Sequence, residues 1–376
     1  MSPLTYLLRN PGKTLPLLGV ITLAVMLIAG MVAVMNSIPL SVSTVYSYSK
    51  HYLGVTPRGD QSQVGAIRDR ITAGSPVEID RIMTCRLASS SINSIVGGWP
   101  FVVLGLEQDD LEFYGQRLGG ATLSGRYPMA GEAEATISRP VAKNLGLELG
   151  DALMGPAQPD SYSPNEVEVV GIIDTEDWIM VTSVEYLRDH HFPPVDALLV
   201  FAKDPHRQSE LDQWALDEFK GSSARIYSFL ELERETQESF STLYLILNIV
   251  VVSLVVVITT MMGMLINMYQ AQRVQEFGLL QAIGFSKARL LRRVLAETTI
   301  VLSGSWLVGL AMAMGLLYGL KVQIFDPKAY AIEVFVVGPY LNTLPVPLMI
   351  FVVAVIDLYV RFRRFDPVAV VERRLA

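Results

Sequence analysis

Four stretches with almost no charge dominate this sequence. Residues 15–35, 240–268 and 298–320 contain no Asp, Glu, Lys or Arg, and 334–360 is interrupted only by Asp357. A helix rises about 1.5 Å per residue, so about 20 residues cross the ~30 Å hydrocarbon layer of a membrane. Each run is long enough. Helices of a soluble core keep a polar stripe toward water, and these runs have none. The sequence therefore predicts an α-helical membrane protein with transmembrane helices at 15–36, 240–268, 298–320 and 334–360. The chain is 51% hydrophobic and 18% charged, less charged than the roughly 25% of a soluble domain. The first run follows Arg9 and Lys13, as a signal peptide would. It is longer than a signal core, and no small-x-small cleavage site follows it. An uncleaved anchor is the better reading.

Basic residues flanking a span stay in the cytoplasm. Arg9 and Lys13 place the segment 1–14 there. The elbow 269–297 follows, with Arg273, Lys287, Arg289, Arg292 and Arg293, and then the tail 361–376, with Arg361, Arg363, Arg364, Arg373 and Arg374. One topology satisfies all three clusters, with both termini cytoplasmic. It leaves 37–239 as an extracytoplasmic domain inserted between the first two spans, and 321–333 as a short outer loop. The segment 37–239 holds 30 acidic and 16 basic residues, a net charge of −14, while the remainder nets +7. The overall −7 thus conceals a polarised molecule, and the outer acidity serves solubility.

The inserted domain reads as mixed α/β. PVEIDRIMTCRLAS has the alternation of a half-buried ribbon, FVVLGL is a short apolar strand, and EATIS, VEVVGIID, IMVTS, VDALLVFA and ARIYSF read as further strands. QVGAIRDRITAG and SELDQWALDEFKG read as helices ended by glycine. RPVAKNLG is a short helix opened by Pro140 and closed near Gly146. LELERETQESF runs into the second span without Gly or Pro, so one continuous helix is expected. The loop PAQPDSYSPN reads as a surface hairpin. Cys85, the single cysteine, has no partner within the chain. A free buried thiol is expected.

Catalytic signatures are absent. There is no GxxxxGK[ST] phosphate loop, no HExxH, no Cys/His cluster at zinc spacing and no GxSxG elbow. His190 and His191 are adjacent, and neighbours on a helix point in different directions, so they chelate poorly. Asp109 and Asp110 suit the first turn of a helix at LEFYG. Charge at membrane depth is costly. Asp357 lies one turn before Arg361, which fits an interfacial ion pair or a substrate or proton site. Glu297 opens the third span, where water or Arg293 can meet it. Pro339, Pro345 and Pro347 are expected to kink the start of the fourth span.

The elbow reads as helix–turn–helix. Phe277, Leu280 and Ile283 or Gly284 supply a small apolar face, Gly284 stops the first helix and Ser286 caps the second. On composition alone it could simply lie on anionic lipid. The spacing R-x-x-E-apolar-G-x-x-x-A-apolar-G-x-S is met by Arg273, Glu276, Gly278, Ala282, Gly284 and Ser286. It resembles the cytoplasmic signature of ABC transporter permeases of the MacB/LolC/FtsX-like family, as does Glu297 downstream. LLRNPGKTLPLLGV, EATISRPVAKNLGLELGDAL with VEVVGIID, and FRRFDPVAVVERR resemble other parts of that family. The order of one span, a large outer domain and three spans also matches.

The resemblance implies a chain of the bacterial inner membrane that is not itself an enzyme and holds no cofactor. ATP and Mg would be bound by a separate ABC ATPase, in two copies. The elbow would be the coupling helix, with Phe277 and Leu280 packed into the ATPase. A second permease chain, identical or homologous, is implied as a dimer partner. A periplasmic adaptor or hydrolase and membrane lipid are further partners, and no nucleic acid is expected. Three functional classes stay open: export or extraction of a hydrophobic or amphiphilic substrate, mechanotransmission to a cell-wall hydrolase without transport, and a membrane-anchored binding protein.

Overall fold

The long apolar runs fold as helices. The computed structural model describes residues 11–94, 97–120, 122–222, 224–341 and 343–364. Helix α1 spans Pro11–Val45. After the inserted domain come α7 (Phe229–Ala271), α8 (Val274–Ala282), α9 (Lys287–Leu320), α10 (Val337–Leu341) and α11 (Pro345–Arg364). Among the described residues, three helices are long and apolar enough to cross a membrane, within Thr14–Val45, Phe229–Tyr269 and Lys287–Lys328. The fourth apolar run departs from expectation. It is not one kinked helix from 334. It breaks after Leu341 and restarts at Pro345, leaving the shorter apolar stretch Pro345–Val360. The physical reason is proline. Pro345 lacks an amide hydrogen, so it sits at a helix start at no cost and would kink or break a helix running on from before it.

Two compact units share the chain. The helical unit comprises the described residues of Met1–Ser37, Thr242–Lys321 and Glu333–Ala376, and the α/β unit comprises Ile38–Ser241 with Val322–Ile332. In the helical unit, Ile21 and Val25 of α1 pack with Met262 of α7, Leu302 of α9 and Ile350 of α11. Gly309 allows α1 and α9 to approach closely, because a Cβ there would lie 2.8 Å from the Val25 Cβ and 2.9 Å from the Thr22 carbonyl oxygen. The outward face of α7 is apolar, with Leu245, Ile249, Val252 and Val256 each more than half exposed. A row of that kind is a liability in water and ordinary in lipid.

The α/β unit is built on a ten-stranded sheet, ordered β10-β1-β9-β2-β3-β8-β5-β7-β4 with β6 on β7. The strands are β1 (Leu53–Pro57), β2 (Ile79–Ser94), β3 (Gly97–Leu106), β4 (Leu123–Gly125), β5 (Glu134–Ser138), β6 (Ala152–Met154), β7 (Val167–Ile173), β8 (Met180–Ser183), β9 (Asp196–Ala202) and β10 (Ala224–Tyr227). Between them lie α2 (Val64–Gly74), α3 (Gln108–Arg117), α4 (Arg139–Leu145), α5 (Val184–Asp189) and α6 (Gln208–Glu218). Alternation along each strand sorts residues to two faces. Leu198 and Val200 of β9 face Ile71 of α2 and Leu211 of α6. Leu199 and Phe201 point the other way, with Met83 and Cys85 of β2, and are covered by Leu111 and Tyr114 of α3. Toward β5 and β7, a third cluster joins Phe101, Val103, Ile137 and Val169 to Val141 of α4 and Leu187 of α5.

The segment after α9, read from the sequence as a short outer loop, packs within the α/β unit. A π-turn at Lys321–Phe325 leads to a short 3-10 turn at Asp326–Lys328. The carbonyl of Lys328 accepts from the Asn144 side-chain amide at 2.8 Å, and the Tyr330 hydroxyl donates to the Ser94 carbonyl at 3.2 Å. Ala329 packs on the cluster around Phe101. Residues 322–332 are therefore structural members of the α/β unit.

Candidate functional site

The elbow between α7 and α9 concentrates the residues singled out by pattern. α7 ends at Ala271, and α8 starts at Val274 after a two-residue turn. Gly284 ends the run with φ of +99°, a backbone conformation that side-chain-bearing residues rarely adopt. Ser286 then caps α9, its hydroxyl accepting from the Arg289 amide. Pattern reading placed the stop and the cap correctly, because both depend on local backbone chemistry.

Arg273, in the turn, is buried and central. Its guanidinium lies 2.7 Å from a carboxylate oxygen of Glu297 and 3.3 Å from Glu276. It also sits over the rings of Tyr269 at 5.5 Å and Phe277 at 5.3 Å. Glu297 is buried as well and meets Arg293 at 3.2 Å, one turn earlier on α9. A buried charge is tolerated when it is paired and hydrogen-bonded, and here each member of the central pair has a second opposite charge. The residues at 273, 276 and 297 thus tie the end of α7, the start of α8 and the first third of α9 together. The sequence pattern contained all three, but nothing in it revealed this bond.

Phe277 corrects the expected docking face. It is buried against Leu290 and Val294 of α9 and Leu358 of α11, with Leu280 half-buried beside it. The apolar side chains α8 and its exit present outward are Leu279, Ile283 and Phe285, which are 57%, 75% and 36% exposed. At 100° per residue, six positions carry Ile283 about 240° around the helix from Phe277. Ile283 therefore shares a face with Leu279 and Glu276 instead. Gly278 is buried, and Gly284 and Ser286 are exposed; the side chain of Ala282 lies outside the described residues. Lys287, Arg289 and Arg292 are exposed, and Arg289 lies 5.8 Å over the Phe285 ring.

Asp357 accepts a hydrogen bond from the Asn267 amide at 3.0 Å, joining α11 to α7. The side chain of Arg361, its expected partner, lies outside the described residues, as do Arg9 and the tail from 365.

In the α/β unit, Asp109 and Asp110 do stand in the first turn of α3, and Asp110 pairs with Arg81 at 2.9 Å. His190 bridges Asn165 at 3.0 Å and the Tyr186 carbonyl at 3.0 Å, and its ring lies against Tyr186. Among the described residues, no group of three or more His, Cys, Asp or Glu could hold a metal ion. Cys85 is buried, and burial pushes its thiol up to about 12.

No family model and no curated protein matches the chain in sequence. Solved structures similar to it include the periplasmic region of MacB from Actinobacillus actinomycetemcomitans. That likeness has 7% identity, covers 50% of this chain and 92% of that one, and has a TM-score of 0.27. The extracellular domain of the noncanonic ABC-type transporter YknZ from Gram-positive bacteria is similar at 11% identity, over 47% of this chain and 100% of that one, with a TM-score of 0.26. A domain of a permease protein from Porphyromonas gingivalis is similar at 14% identity, over 47% and 86%, with a TM-score of 0.23.

Proposed function

We propose that this chain is the permease subunit of an ABC transporter, whose separate ATPase subunits drive export or extraction of a hydrophobic or amphiphilic substrate. The observation that carries this reading is the elbow. Arg273 of its signature pairs with buried Glu297 and with Glu276, and its outward side shows apolar Leu279, Ile283 and Phe285, with Arg289 over the Phe285 ring. A surface of that kind suits a protein partner, since buried apolar anchors dominate such interfaces. In this reading Leu279, Ile283 and Phe285 enter a groove on the ATPase, while Phe277 holds α8 to its own chain. The elbow and both termini face the cytoplasm, and the α/β unit faces outward from a bacterial inner membrane. Helix α11 is the fourth span in this reading: its apolar stretch Pro345–Val360 rises about 24 Å, a shortfall that local bilayer thinning accommodates.

The mechanism follows from how the elbow is fastened. ATP binds two partner ATPases with Mg, and their closure moves the elbow. Because Arg273 ties α8 to α9 at the end of α7, that motion passes into α7 and not into slack loop. α7 continues as one helix back to Phe229, so displacement at the elbow reaches residues that belong to the α/β unit. Two permease chains, identical or homologous, complete the assembly.

The test is a mild-detergent pull-down of the native chain with identification of every copurifying protein and lipid, followed by an ATPase assay. A copurifying ATPase that is lost on Ile283→Asp is the expected result. Absence of any ATPase would return the elbow to a lipid-surface role. An ATPase recovered together with a cell-wall hydrolase, and with no lipid or other hydrophobe, would favour a mechanical regulator.

A further inference from the structure

Helix α3 covers only part of its face of the sheet. Beyond it, the same face forms the floor of a cavity of about 800 Å³, wholly within the α/β unit. Leu87 of β2 and Val102 of β3 supply an apolar floor, and Tyr46, Tyr48, Tyr52 and Tyr227 stand around it. This volume lies within the ~300–1,000 Å³ range of small-molecule sites, which are mostly apolar with a few placed polar groups.

The polar groups here are few and distinct. The Tyr46 hydroxyl receives the Trp99 indole N–H at 2.9 Å, and the Tyr52 hydroxyl lies 3.4 Å from that of Tyr114. Tyr48 is stacked on Tyr52 at 5.9 Å and edge-on to Phe101 at 5.7 Å, so its ring is fixed. Among the described residues its hydroxyl has no hydrogen-bond partner, and the side chain is partly exposed to the cavity. Among the described residues the charged lining groups are Asp160 and Glu235, and no lysine or arginine is in the lining. Behind it, Arg225 is committed to Glu235 at 3.0 Å. An anion entering this space would meet the Asp160 carboxylate, while the neighbouring cation is already paired.

We infer that this cavity binds an uncharged or cationic amphiphile, its apolar body on Leu87 and Val102 and its hydroxyl or amine end at the Tyr48 hydroxyl and Asp160. The binding site stands on the cavity alone; it rests on the permease reading only in making that amphiphile the cargo.

The experiment uses the full chain in nanodiscs and three photoreactive probes of one chain length, each with a diazirine in the chain: an alcohol, an amine and a carboxylate. Adducts are mapped by mass spectrometry. Those on the apolar helices α7 and α9 serve as the internal standard for partition into the bilayer. The expected result is adducts on peptides bearing Tyr48, Tyr52 and Leu87, about tenfold more abundant relative to that standard for the alcohol and amine than for the carboxylate. Leu87→Trp, which raises a bulky ring from the floor where the apolar body would lie, should reduce them several-fold without lowering the melting temperature, and Tyr48→Phe should reduce the alcohol adducts several-fold. Should Leu87→Trp fail to fold, Val102→Phe obstructs the same floor. Equal labelling by the carboxylate, unchanged labelling in both floor variants, or adducts confined to α7 and α9 would overturn the site. Copurifying ATPase is scored on the same preparation. Cavity adducts without an ATPase would sink the permease reading and leave the site; an ATPase without cavity adducts would do the reverse.

Discussion

Arg273 and Glu297 are each only 3% exposed and lie 2.7 Å apart. Removing one member of such a pair strands the other, at a cost of about 3–5 kcal/mol. Arg293 touches the same carboxylate but is 24% exposed, so losing it costs about 1 kcal/mol or less. Arg273→Ala should therefore lower the melting temperature of the purified chain far more than Arg293→Ala; equal losses would show that the bond is not the fastener described above. A second residue, remote from the elbow, makes stability depend on pH. Asp212 of α6 is buried, accepts from Gln208 at 3.1 Å, and is pushed by burial up to about 7. An unfolded aspartate titrates near 3.9. Between about pH 4 and pH 7 the folded state keeps a proton that the unfolded state has released, so stability present below that window is lost as pH rises through it. Asp212→Asn should raise the melting temperature near pH 8 and change it little near pH 4, which thermal scans across pH would check.

At the scale of elements, the two faces of α8 give opposite predictions. Phe277→Asp places a charge among Leu290, Val294 and Leu358 and should destabilise the elbow by several kcal/mol. Ile283→Asp alters a side chain that is 75% exposed and should leave melting unchanged while abolishing ATPase association. Limited proteolysis at the elbow, set beside the pull-down, separates the two effects. Gly284 and Ser286 were legible in the sequence because stop and cap are properties of one or two residues. The buried face of α8 was not. The helix is short and apolar on more than one side, and which side turns inward is decided by Leu290, Val294 and Leu358, distant in sequence and invisible to periodicity. The strand runs were legible for a local reason too: β7 alternates along its length, while β8 and β9 are short runs buried on both faces, that of β9 being apolar from Ala197 to Ala202. The break before Pro345 was half-legible. The prolines were visible there, but whether they bend a helix or divide it is set by packing.

For the whole molecule, the charge division makes a topological prediction. Cys85 is the only cysteine and is buried, so the native chain should resist a membrane-impermeant thiol reagent. Met129→Cys, at a position 53% exposed in the α/β unit, should be labelled from outside intact cells. Arg289→Cys, exposed in the elbow, should be labelled only after the membrane is opened. The reverse pattern would invert the orientation drawn from the basic clusters. Runs of apolar residues and clusters of arginine made this layout readable without a structure. The cavity was not readable, because its walls come from five strands, the segment after α1 and the start of α7.

Lys328, Ala329 and Tyr330 complete a unit whose first residue is Ile38. In the order of synthesis, the ribosome must therefore deliver α7, α8 and α9 before the α/β unit has all its parts. Until residue 332 emerges, Asn144 and the Ser94 carbonyl wait without the partners that the segment after α9 brings. Completion of the α/β unit becomes a signal that the chain has passed beyond α9, and a truncated product stopping short of 322 would carry an unfinished surface for a protease to find.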